Sequence, residues 1–158
     1  VTADGRFAVS AATDGTLEVW DLATGQAVRT LEGHRYGVNG VAATADGRFA
    51  VSASNDSTLK VWDLATGQAV RTLQGHSRWV NGVAVTADGR FAVSVSHDNT
   101  LKVWDLATGQ AVSTLEAHAP LLCCAFTSNG TMIIAGDTAG GVHFIDWLHA
   151  EPILRAQR

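Results

Sequence analysis

The chain has 158 residues, 46% hydrophobic and 16% charged, a composition that suits a water-soluble globular domain and excludes a disordered or collagen-like one. Eleven basic against fifteen acidic residues give a net charge of -4, and no basic stripe marks a nucleic-acid footprint. No apolar run approaches the roughly 20 residues that a membrane-spanning helix needs, so neither nucleic acid nor membrane is an expected partner.

The chain opens inside a repeat. Val1-Thr2 corresponds to Val85-Thr86, and the first unit therefore lacks its leading strand. The sequence is expected to be a piece of a longer protein. Leu17 to His34 reads LEVWDLATGQAVRTLEGH, and near-copies return at Leu59 to His76 and at Leu101 to His118, a period of 42 residues. Trp20, Trp62 and Trp104 are each followed by Asp.

The third unit is the cleanest. Val80 to Thr86 reads as a strand, Ala87-Asp88-Gly89 as a tight hairpin, and Phe91 to Ser96 as a second strand. After a turn at His97-Asp98-Asn99, Leu101 to Leu106 and Ala111 to Leu115 make two more. No segment carries a convincing helical period. Such a sheet is apolar on both faces and must be sandwiched between others like it. The fourth unit, from about Ala117, diverges, and its tail from Ile153 to Arg158 suits a last outer strand.

A Gly-His followed 28 residues after the His by Trp-Asp, in both intact copies (His34 to Trp62, His76 to Trp104), resembles the WD-repeat β-propeller family. The resemblance implies an all-β fold of four-stranded antiparallel blades around a channel, four blades per chain. Their bounds are approximately 1–32, 33–74, 75–116 and 117–158. It also implies a buried polar tetrad in each blade. In blade two the tetrad falls on His34, Ser52, Asp56 and Trp62, and in blade three on His76, Ser94, Asp98 and Trp104. Blade one keeps Ser10, Asp14 and Trp20 without a His. Blade four keeps His118, but the partner positions read Ala135, Ala139 and Ile145. His143 and His149 stand alone and read as surface or strand-filling residues.

A Ser, a His and an Asp together invite a catalytic reading. The chain has no nucleophile elbow, and the same trio recurs in successive blades, so the expectation is a structural role and no enzyme. No nucleotide-binding loop and no metal-ligand spacing is visible, and no cofactor is expected. Cys123 and Cys124 are adjacent, hence poor partners for each other, and read as two small core thiols in a reducing, cytoplasmic setting.

Blades two and three differ at nine of 42 positions, and five of these lie in two short loops. One loop is Arg35-Tyr36-Gly37 against Ser77-Arg78-Trp79. The other sets Asn55 and Ser57 against His97 and Asn99. A copied framework with a varied rim is the layout of a binding face. Arg35, Tyr36, Asn55, Arg78, Trp79 and His97 are the candidate contacts for a protein or peptide partner. Four blades are few for this family, so two chains are expected to close an eight-bladed ring as a homodimer. The terminal blade also resembles the last propeller blades of bacterial signalling NTPases of the STAND type, which implies a ligand-sensing regulatory role as an alternative.

Overall fold

The computed structural model describes residues 1–147 and, as backbone alone, the strand at 153–157. Fifteen strands form four antiparallel sheets, each a meander in chain order, and the described residues contain no helix. Sheet one has three strands, β1 (Phe7–Ala11), β2 (Leu17–Asp21) and β3 (Gln26–Leu31). Sheet two runs through β4 (Val38–Ala43), β5 (Phe49–Ser54), β6 (Thr58–Asp63) and β7 (Ala69–Gln74). Sheet three runs through β8 (Val80–Val85), β9 (Phe91–Ser96), β10 (Thr100–Asp105) and β11 (Ala111–Glu116). Sheet four holds β12 (Leu121–Phe126), β13 (Met132–Asp137), β14 (Val142–Asp146) and β15 (Ile153–Gln157). The strands of sheet three thus start or stop a residue away from the sequence reading at Val85, Thr100 and Glu116.

Turn chemistry explains the hairpins. Gly89 has φ +69°, and Asp88 accepts from the Thr86 hydroxyl and the Arg90 amide, which ties the turn to both strands. At the opposite end Ser57 and Asn99 hold φ of 67°, a strained value for residues with a side chain. The carboxylates of Asp56 and Asp98 offset that strain by accepting from the amide and hydroxyl of Thr58 and Thr100.

The core lies between sheets. Leu17, Val19, Leu31, Val38 and Trp62 join sheet one to sheet two. Val51, Leu59, Val61, Leu73, Val80 and Trp104 join two to three. Val93, Val95, Leu101, Val103, Leu121, Ile133 and Ile145 join three to four. Each sheet's third strand therefore buries a large residue against its neighbour, and Trp62 and Trp104 are 0% and 1% exposed. Burying about 200 Å2 of tryptophan contributes roughly 5 kcal/mol before entropy is counted.

Arginines staple the same seams. Arg29 donates to the carbonyls of Thr66 and Ala65 at 3.0 and 2.9 Å, and Arg71 to those of Thr108 and Ala107 at 3.1 and 2.8 Å. Ser113 occupies that register position in sheet three, opposite Val103, so the third seam has no such arginine. Sheets one and four share no hydrophobic cluster among the described residues. Trp20 is half-buried on the outer side of sheet one, and Leu122 and Val142 are 49% and 39% exposed on sheet four.

Two expectations need correction. Cys123 is exposed, because neighbours on a strand face opposite ways. Only Cys124 turns inward, toward the Val93 carbonyl, and burial pushes its thiol up to about 12. His143 is 4% exposed within β14, so of the two readings the surface one fails and the strand-filling one stands. His149 lies outside the described residues.

Candidate functional site

Strand register sets the polar groups within each sheet. Ser94 faces Lys102 across β9 and β10, which places its hydroxyl diagonally beside Trp104 on one face of the sheet. The Trp104 indole donates to Ser94 Oγ at 2.8 Å. Ser94 Oγ lies 2.7 Å from His76 Nε2, and His76 Nδ1 lies 2.9 Å from Asp98 Oδ2. Sheet two repeats the chain. Trp62 meets Ser52 at 2.8 Å, Ser52 meets His34 at 2.7 Å, and His34 meets Asp56 at 2.7 Å.

The carboxylate decides the proton positions. An ionised Asp56 or Asp98 can only accept, so Nδ1 of each ring carries the proton, and in the neutral ring Nε2 then accepts from the serine hydroxyl, whose oxygen takes the indole proton. Burial lowers the pKa of His34 and His76, outweighing the aspartate beside each, and so favours this neutral form. Burial alone would raise the Asp98 carboxyl. Hydrogen bonds from Thr100, the Ser77 amide and His76 win and hold it at about 2. Ser52 and Ser94 are 0% exposed, with each hydroxyl held by buried partners, so neither can meet a substrate. No group of three or more His, Cys, Asp or Glu is placed to hold a metal among the described residues.

The tetrad aspartates also hold the loops above them. Asp98 Oδ2 accepts from the Ser77 amide at 2.9 Å, Ser96 Oγ donates to the Arg78 carbonyl at 3.2 Å, and the His97 amide donates to the Trp79 carbonyl at 2.9 Å. Asn55, Ser57, Ser77, Arg78, Trp79 and His97 together line a depression of about 380 Å3. Trp79 is 56% exposed, and its ring leans over His97 with centroids 5.9 Å apart. The Asn39 amide fixes Asn55 at 2.6 Å and also caps the Val80 carbonyl, so the floor crosses from sheet two to sheet three.

Four of the six rim candidates therefore meet. Tyr36, 65% exposed, and Arg35 do not join them, although Asp56 holds the Arg35 amide at 3.1 Å as Asp98 holds that of Ser77. They stand one repeat earlier, beside sheet one, where Gly15 packs on the His34 and Tyr36 carbonyls.

The end sheets are different. In sheet one the Trp20 indole reaches Ser10 at 2.8 Å, but Asp14 bonds only to Thr16. In sheet four His118 is exposed and bonds to no described residue. A pair that the sequence reading missed replaces the tetrad. His143 Nε2 lies 2.8 Å from Asp137 Oδ2, and its Nδ1 is buried without a partner among the described residues. His143 takes the register position of Lys102, and Asp137 that of Ser96, the serine that carries the loop in sheet three. Gly141 makes room, since a side chain there would begin 2.6 Å from the Asp137 carboxylate. The signal available was a His opposite an Ala, six residues after an Asp on the paired strand.

Comparison with known proteins fits this architecture. The WD domain, G-beta repeat family matches residues 1–21 and 25–63, and the TEP-1 C-terminal beta-propeller family matches 76–147. Together they support a WD-repeat propeller family for this chain. Proteasomal ATPase-associated factor 1 of Gallus gallus is 46% identical over 39 residues, which is 25% of this chain and 10% of that protein. The chain thus matches about a tenth of the length of that relative.

Proposed function

We propose that this WD-repeat chain is a non-enzymatic interaction module that binds a protein or peptide at the rim over blades two and three. The observation that carries the reading is the depression around Trp79 and His97, whose supporting loop hangs on the tetrad carboxylate of Asp98. Exposed aromatic and arginine side chains on a rigid floor are the makings of an interface hot spot. WD-repeat propellers generally serve as protein-binding scaffolds, and the relative from Gallus gallus is named for its association with a proteasomal ATPase. The catalytic alternative has no support in the tetrads, where each serine is sealed under a tryptophan. A reducing, cytoplasmic setting belongs to the same reading.

Self-association is part of it too. The outer faces of blades one and four carry Trp20 and Val142, whose counterparts Trp62, Trp104, Leu59 and Leu101 are buried in the inner blades. Two chains closing an eight-bladed ring would bury both, and light scattering would then give twice the 16.6 kDa chain mass. A second reading, a sensor propeller at the carboxyl end of a bacterial signalling NTPase, is favoured by the distinct last blade, in which His143 and Asp137 replace the tetrad.

The test is selection of peptides from a displayed library on the folded chain, followed by Trp79→Ala. Loss of a hot-spot aromatic should weaken the selected peptides by about 30-fold or more while leaving the melting curve in place. Undiminished binding would move the site elsewhere.

A further inference from the structure

The opposite end of the blades carries a second feature, independent of the rim. There the hairpins between first and second strands meet the turns after the third strands. Between blades two and three they leave a groove of about 530 Å3, lined by Phe49, Val61, Val70, Gly89, Arg90 and Leu106 among others. Between blades one and two a groove of about 440 Å3 repeats it with Phe7, Val19, Val28, Gly47, Arg48 and Leu64.

The third seam shows what such a groove takes. Trp147 follows Asp146 as Leu106 follows Asp105 and Leu64 follows Asp63. Its ring crosses the seam and meets Phe91 of blade three edge-on, with centroids 5.1 Å apart and an angle of 67°. On the other side it lies 5.8 Å from Phe126, and its indole nitrogen donates to the Gly130 carbonyl at 2.9 Å. The chain seats its own tryptophan in this groove and leaves about 320 Å3 beside the ring, less than either of the other two seams.

The two open seams hold the same receptors without the ring. Phe49 and Phe7 stand where Phe91 stands, and Gly89 and Gly47 where Gly130 stands. No described donor reaches the carbonyl of Gly89 or Gly47. Leu64 and Leu106 pack against the cores of their seams but offer no side-chain N–H to those carbonyls. Beside those glycines the open grooves are lined by Arg90 and Arg48, whose guanidinium groups each lie over the phenylalanine of the following seam, Arg48 4.8 Å over Phe49 and Arg90 5.2 Å over Phe91, the ring that Trp147 also meets. Blade four has Thr131 at that place. A guanidinium beside an apolar slot favours an electron-rich ring.

We infer that each open groove binds the tryptophan side chain of a partner segment, with the indole N–H given to the Gly89 or Gly47 carbonyl and the ring laid against Phe49 or Phe7. Phenylalanine fits the slot but leaves that carbonyl unpaired. The partner is therefore a protein segment that presents tryptophan, and one with two of them at blade spacing engages both grooves.

The probe is N-acetyltryptophanamide, titrated into the whole chain labelled with 15N, with dissociation constants on the order of 1 mM expected for a lone side chain. The amides of Gly47 and Gly89 should shift and saturate, and N-acetylphenylalaninamide should bind about tenfold more weakly. Leu106→Trp, which copies blade four, should abolish the Gly89 response and keep that of Gly47, and Leu64→Trp the reverse. Arg90→Ala, on an exposed side chain, should weaken the Gly89 site several-fold if Leu106→Trp fails to fold. Trp79→Ala should change nothing here, which separates this inference from the rim. Absence of saturation at both glycines, an equal affinity for the phenylalanine compound, or a Gly89 response that survives these groove variants would overturn it.

Discussion

Blades three and four share a strand order, a bulge in the first strand and an apolar seam, yet they brace their upper loops differently. In blade three a four-member chain runs from the buried Trp104 through Ser94 and His76 to Asp98, and its last carboxylate holds the rim loop at Ser77. In blade four an apolar seam residue, Ile145, replaces the tryptophan, and a His143–Asp137 pair stands nearer the turn, where Asp137 accepts from the amides of Ala139 and Gly141. The first arrangement ties the loop that precedes a blade to that blade's interior. In the second the carboxylate ties the turn to itself, and the preceding loop is reached by the Thr138 amide, which donates to the Pro120 carbonyl at 2.9 Å. The proposed binding rim lies over blades two and three, where the first arrangement is present.

The comparison can be broken most severely at the tryptophans. Trp104→Ala removes a fully buried ring and should cost about 3–5 kcal/mol, read as a lower urea midpoint. A shift under 1 kcal/mol would mean the seam between blades two and three is not the packed core described here.

Next in size is the serine. Ser94→Ala leaves the Trp104 indole and the His76 ring nitrogen without partners and should cost ~1–3 kcal/mol. The matching change at Ser10, whose bond to Trp20 is exposed and ends there, should stay within ~0.5 kcal/mol in dilute solution. Equal costs at the two serines would deny the tetrad any cooperative role.

Acid sharpens the same contrast. The Asp98 carboxyl sits at about 2 in the folded chain, below its ordinary 3.8, so its contribution is complete above about pH 4 and is lost as pH falls toward 2. His34 and His76 are shifted down from 6.5, so the unfolded chain binds protons first and stability also falls as pH drops below 6.5. Urea midpoints should therefore decline in two stages on acidification, and Asp98→Asn should flatten the lower one. A midpoint rising between pH 6.5 and 5 would reverse the sign assigned to the histidines.

A smaller effect than that of the buried serine lies at the staples. Arg71→Ser reproduces the residue that blade three carries at Ser113 and should cost ~0.5–1.5 kcal/mol through the two lost carbonyl bonds. No change at all would make the arginine a surface ornament.

Much of this was legible in the repeats. Near-identity of two 42-residue units exposed the framework, because every tetrad position and nearly every seam position is copied, Ala43 and Ala53 against Val85 and Val95 being the exceptions, and the varied loops stood out against it. The grouping of Asn55, Arg78, Trp79 and His97 follows from the shared loop end of two neighbouring blades. Three features were not legible. Arg29 and Arg71 sit on exposed outer strands, where a charge reads as solvated until the neighbouring turn is in place. His143 and Asp137 depend on register across β13 and β14, which a divergent unit does not reveal. Trp147 reads as one more aromatic in a tail until its ring is seen against Phe91.

The most direct measurement is amide hydrogen exchange at Ser77 and Arg35 in the wild-type chain and in Asp98→Ala. If the tetrad carboxylate holds the rim, the Ser77 amide loses its protection in the variant, while the Arg35 amide, held by Asp56 in the neighbouring blade, keeps its own. An unchanged Ser77 amide in a folded Asp98→Ala chain would contradict the account.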